Sequence, residues 1–136
     1  MSWSQSLIKL ATYEVETRQK RLAEVVERRV GLETRLALLA AEGEAETMRA
    51  DQDPAAGMFR ASYMTGLRMR MAEIRAEIVA IAQEEQGARD ALAQAFEEQK
   101  KYEQVAQTAR TLEQKEAARR ETAAMDELGL RKANGR

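Results

Sequence analysis

Neither cysteine nor histidine occurs anywhere in the chain. Their absence removes disulfides and thiolate nucleophiles, the commonest general base, and the usual transition-metal ligands together. Nor is there a Gly-rich phosphate loop, a nucleophile elbow or a carboxylate pair set among apolar residues. The chain is therefore read as non-enzymatic, with no catalytic, cofactor-binding or metal-ligating residues. Charge of one sign is missing too: 22 basic against 23 acidic residues leave a net charge of −1, so no overall field steers the protein to nucleic acid or an anionic membrane. No apolar run approaches the ~18 residues of a membrane span. The opening Met1-Ser2-Trp3-Ser4-Gln5-Ser6 has neither a basic nor an apolar signal segment, so a cytoplasmic location is expected. Aromatics are only 4%, and Pro54 is the sole proline.

What remains is mostly Ala, Glu, Arg, Leu and Gln in heptad rhythm, the composition of long helices rather than of a globular core. In the first arm one seam runs Ile8, Val15, Leu22, Arg29, Leu36, and its partner runs Ala11, Arg18, Val25, Leu32, Leu39. In the second, Leu67, Ile74, Ile81, Ala88, Ala95, Tyr102 and Ala109 alternate with Met71, Ile78, Glu85, Leu92, Gln99 and Ala106. Such a/d repeats, sustained this long, are diagnostic of a coiled coil. Pairs such as Glu14–Arg18, Glu24–Arg28 and Glu97–Lys101 place Glu four residues before a base, worth roughly 0.2–0.5 kcal/mol each on a solvated helix face.

The one strong break is Asp51-Gln52-Asp53-Pro54-Ala55-Ala56-Gly57. Ser2 with Gln5 fits a capping box at the first helix start, and Asp53 before Pro54 fits an N-cap with proline at the first helical position. Gly129 reads as a stop, with Arg131, Lys132 and Arg136 beyond it. The expected fold is all-α: one domain, a long two-helix antiparallel coiled-coil hairpin with an overhanging C-terminal helix. Arm one spans about 3–49, the turn about 50–57, arm two about 58–128, and a flexible tail 129–136. Pairing Leu39 with Leu67, Leu32 with Ile74 and Val25 with Ile81 folds the chain near residue 53. That register leaves about 107–128 without a partner, roughly 33 Å of helix.

Surface chemistry concentrates at the two ends. The turn is acidic (Glu42, Glu44, Glu46, Asp51, Asp53 against Arg49), and the segment just after it is basic (Arg60, Arg68, Arg70, Arg75). Met58, Phe59, Tyr63, Met64, Leu67, Met69 and Met71 exceed what a two-helix seam can bury, and such Met-rich surfaces suit adaptable protein binding. Phe59 and Tyr63 fit two roles, closing the hairpin against Leu39 and Met48 or facing a partner. Trp3 fits either packing near Tyr102 or a contact at the open end.

These residues carry a resemblance. Ser6-Leu7-Ile8-Lys9-Leu10 with Glu14, Glu16 and Leu22, then Tyr63-Met64 with Leu67 and Ile74, then Met125-Asp126-Glu127-Leu128 with Arg131-Lys132 resemble FliJ-type flagellar export proteins over nearly the whole chain. The resemblance implies a non-catalytic, stalk-like coiled coil of the flagellar type III export apparatus. It implies an export ATPase ring and the cytoplasmic part of the export gate as partners, with export chaperones bound by some members, and a peripheral association with the membrane export apparatus. Carried over by position, Trp3, Leu7, Val105, Leu112, Met125 and Leu128 would face the ATPase ring, and Phe59, Tyr63 and Leu67 the gate. Two rival readings stand beside it. One is a generic coiled-coil scaffold or chaperone. The other is a polymerase-channel transcription factor holding a metal at its acidic tip, against which the second globular domain of such factors is missing.

Overall fold

The computed structural model describes residues 2–135, apart from the side chains of Pro54 and Ala56. The described chain is helical in three pieces: α1 (Trp3–Gln52), a four-residue α2 (Pro54–Gly57) and α3 (Arg60–Asn134). The two long helices pack against each other as an all-α helical hairpin. The start of α1 is the expected capping box: Gln5 N donates to Ser2 Oγ at 3.3 Å, and Ser2 N donates to Gln5 Oε1 at 3.2 Å.

Two boundaries differ from the sequence expectation, each for a physical reason. The helical ladder of α1 runs on until Asp53 N donates to Arg49 O, because nothing before Pro54 lacks a backbone donor. The turn is then itself partly helical. Asp53 Oδ1 caps α2 by accepting from Ala55 N at 3.0 Å, and Phe59 O opens α3 by accepting from Tyr63 N. No described residue has a positive φ, so this reversal needs no glycine-specific conformation. At the other boundary, α3 continues through Gly129 to Asn134 instead of stopping. A lone glycine costs only about 1 kcal/mol in a helix, no proline follows, and Arg131 pairs with Glu127 across that turn. Arg136 lies outside the described residues.

The chain forms two compact units, residues 16–94 and residues 1–15 with 95–136. In the 16–94 unit the core is Leu39, Leu67 and Ile74, with Leu32, Leu36, Tyr63, Met64, Met71 and Ile78 packed around it. Val25 and Ile81 are also buried there. In the other unit Ala11 and Val15 of α1 and Ala95 and Ala106 of α3 are buried, and Gln99 Nε2 donates to Thr12 Oγ1 at 3.2 Å. Every buried hydrophobic residue among those described belongs to a heptad seam read from the sequence. Of the seam positions, Arg18 alone turns outward.

The register itself is corrected by about one helical turn. Leu67 lies against Gly43, one turn beyond the Leu39 with which the sequence pairs it, and Thr12 meets Gln99 rather than residues 94–95. The apolar repeat is the reason. Shifting one aliphatic heptad pattern against another leaves aliphatic facing aliphatic, so the seam positions are legible while the pairing is not.

Candidate functional site

At the turn, Phe59 is 74% exposed while Leu67, one helical face inward, is 2% exposed. Tyr63 lies between them in depth and packs against the Leu39–Leu67–Ile74 core. The two aromatics therefore divide the roles left open above: Tyr63 closes the core and Phe59 is presented to solvent, beside exposed Met58. The family resemblance groups Leu67 with them as a gate-facing residue. Its burial makes it the support under that surface rather than part of it. A shallow apolar groove runs along the same end, between Ala40, Gly43, Thr47 and Met48 of α1 and Met64, Leu67 and Met71 of α3.

Gly43 explains how Leu67 reaches its position. It continues the Leu22–Arg29–Leu36 seam by one heptad and is buried. A Cβ at this position would lie 2.6 Å from Leu67 Cδ2, so the glycine is a notch for that leucine. The sequence leaves each of Gly31, Gly43, Gly66 and Gly87 open as a soft spot or a close approach, and only Gly43 is a close approach.

The acidic turn is not assembled as a cation site. Asp51 accepts from Arg60 Nη1 at 3.3 Å, and Arg49 reaches back to Glu46. Among the described residues no three carboxylates converge in metal-binding geometry.

Between the ends of the 16–94 unit lies a cross-helix ionic cluster that the apolar count had not singled out. Glu84 accepts from Arg21 at 2.6 Å and from both Nη atoms of Arg28 at 3.0 Å. The adjacent Glu85 accepts from Arg29 Nε at 3.1 Å, and Arg29 also pairs with Glu33. The Arg28 hydrogen bonds, with the Arg28 and Arg21 charges, hold the Glu84 carboxyl below the usual carboxylate range against a smaller opposing effect of burial. The same contact raises Arg28, and the carboxylates of Glu33 and Glu85 raise Arg29.

In the unit of 1–15 and 95–136, paired packing ends at Thr111. From Leu112 to Gly135 every residue is exposed, although α3 remains helical to Asn134. That stretch is roughly 34 Å long at 1.5 Å per residue. It begins about five residues later than the sequence register placed it, consistent with the shifted pairing. Trp3, Val105, Leu112, Met125 and Leu128 are all exposed, as are Leu10 and Leu130, which the sequence reading had not chosen. Leu7 is half-buried. Met125, Leu128 and Gly129 with the stems of Arg131 and Lys132 form a small apolar face on the unpaired helix.

Among the described residues, no helix is long and apolar enough to cross a membrane. Comparison with known proteins gives the lineage. The family model described as "Flagellar FliJ protein" matches residues 5–136. Curated proteins named "Flagellar FliJ protein" from two strains of Caulobacter vibrioides, NA1000 / CB15N and ATCC 19089 / CIP 103742 / CB 15, are each 50% identical over 131 residues. The alignments cover 96% of this chain and 94% of theirs. No solved structure matches.

Proposed function

We propose, from the premise that this chain belongs to the flagellar FliJ protein family and is thereby a component of flagellar export, that it acts there as a non-catalytic stalk. Its C-terminal overhang engages a ring of export ATPase subunits, and its turn end engages the cytoplasmic part of the export gate. The observation that carries this reading is the length of α3 that stays helical while packing against nothing from Leu112 onward. Isolated helices are marginal without tertiary packing. A long helix with exposed Leu112, Met125 and Leu128 therefore has its natural completion in another protein. An asymmetric helix inside a ring can bias the subunits differently as it moves, which asks for no reactive side chain in the stalk.

For the gate, exposed Phe59 with Met58 and Met69 supplies the contact surface, and Tyr63 and Leu67 hold it up from beneath. Export chaperones are a further partner class for the same Met-rich surface, whose unbranched side chains repack against different helices. Through the gate the protein would be cytoplasmic and peripheral to the membrane.

Ending the chain after Thr111 tests the assignment. The shortened protein is expected to stay helical by circular dichroism, to lose co-sedimentation with the flagellar export ATPase, and to fail to restore motility. Undiminished ATPase binding by the shortened chain would refute the role of the overhang.

A further inference from the structure

One flank of the 16–94 unit carries a charge pattern at strict heptad spacing. Along α1 it reads Arg21, Arg28, Arg35, Glu42, and along α3 it reads Arg70, Glu77, Glu84, Ala91. Glu84 holds Arg28 through two hydrogen bonds and Arg21 through one, and Arg35 and Glu77 line the same groove as Arg28 and Glu84. One heptad onward, Glu42 and Arg70 occupy the next positions of the two stripes. The helices run in opposite directions, so the stripes read Arg28 to Glu84, Arg35 to Glu77 and Glu42 to Arg70.

A one-heptad slip in either sense degrades this match. Slipped one way, Glu84 moves to Arg21 and Glu77 to Arg28, but Arg70 then faces Arg35. Slipped the other way, Glu84 moves to Arg35, but Glu77 then faces Glu42. Like charges meet in both cases. The seam behind the stripe adds a second penalty. Arg29 and Glu85 occupy a part-buried polar layer, with the Glu85 side chain 13% exposed. A slip would set them against Leu22, Leu36, Ile78 or Leu92 and leave each charge without its partner, which is costly out of water. No buried side-chain polar atom among the described residues lacks a hydrogen-bond partner in the native pairing.

We propose that this ionic stripe and its polar layer are a register lock that selects one alignment of α1 with α3. The aliphatic positions of the seam repeat chemically every heptad and, apart from the Gly43 notch for Leu67, supply stability without choosing among alignments. Charged flanks and single polar core positions are the means by which coiled coils specify register. The lock rests on the hairpin alone and stands whether or not the export-stalk reading is correct.

The test is a distance measurement on the full chain. The protein has no cysteine, so spin labels attach only at Ala40→Cys and Met71→Cys, which line opposite sides of one groove. The otherwise native chain should give one narrow distance. Arg28→Glu with Arg35→Glu should add a population displaced along the helix axis by about 10 Å, one heptad of rise. Adding Glu77→Arg and Glu84→Arg should restore the single distance. If the reversed-charge chain loses helicity by circular dichroism, the neutral pair Arg28→Gln with Arg35→Gln is measured instead and should show the same displaced population. A single unshifted distance in the helical altered chain would overturn the proposal and reduce the stripe to ordinary surface ion pairing. Failure of the compensating set to restore the native distance would also overturn it.

Discussion

Substituting alanine for Gly31, Gly43, Gly66 and Gly87 in turn separates a packing notch from an ordinary weak spot. In a helix interior, Gly→Ala is favourable by about 1 kcal/mol, because alanine loses less backbone freedom on folding. At Gly31, Gly66 and Gly87 an added Cβ meets nothing within 4 Å. Those three substitutions should therefore raise stability by roughly 0.5–1 kcal/mol each. At Gly43 the new Cβ would sit 2.6 Å from Leu67 Cδ2, well inside contact distance. Leu67 is 2% exposed, walled by Leu39 and Ile74, and has little room to turn away. Overpacking of this kind typically costs about 1–3 kcal/mol. Set against the helix gain, Gly43→Ala should come out between about neutral and 2 kcal/mol destabilising, the opposite trend to its three counterparts. Urea unfolding followed by circular dichroism reads all four variants on one scale. Stabilisation of Gly43→Ala equal to that of Gly31→Ala would refute the notch, and with it the corrected pairing of α1 against α3.

Two further outcomes follow from the same geometry. Leu67→Ala should cost about 2–5 kcal/mol through lost burial and a residual cavity, whereas Phe59→Ala should change stability by no more than about 0.5 kcal/mol. Comparable losses at the two sites in thermal unfolding would return Phe59 to a closing role. Glu84 gives a pH dependence with a fixed sign. Its folded carboxyl titrates below the ordinary range, so its contribution is fully present above the usual carboxylate pKa of about 4.3 and is lost as pH falls through the lower folded value. Glu84→Gln should flatten stability against pH in that acid window. A slope unchanged from the native chain would show that the Arg28 contact adds nothing to folding in solution.

The fold was largely legible because heptad periodicity reports burial directly. Ala11, Val15, Val25, Leu39, Leu67, Ile74, Ile81, Ala88, Ala95 and Ala106 all fall on the seams read from spacing, and all are buried. Ser2 and Asp53 were equally readable, since a cap depends on a few neighbouring residues and both make the expected hydrogen bonds. Register was harder, because it depends on differences between nearly equivalent alignments. The residues that discriminate among them, Gly43, Arg28 and Glu84, are a glycine and two charges that an apolar count passes over. The helix end failed for a related reason: Gly129 is a weak stop signal when nothing else terminates the helix. At the turn the sequence counted a surplus of apolar side chains correctly. Which of them stay outside was settled only by depth: Phe59 is presented, Tyr63 is partly covered and Leu67 is buried.

The proposed stalk role requires that the export ATPase bind the unpaired part of α3. A photo-crosslinking side chain placed in turn at Leu112, Met125 and Leu128, with exposed Val30 of α1 as the control position, tests it most directly in the presence of the assembled ATPase. Covalent products with ATPase subunits are expected from the three overhang positions and none from Val30. Crosslinks from Val30 with none from the overhang would contradict it.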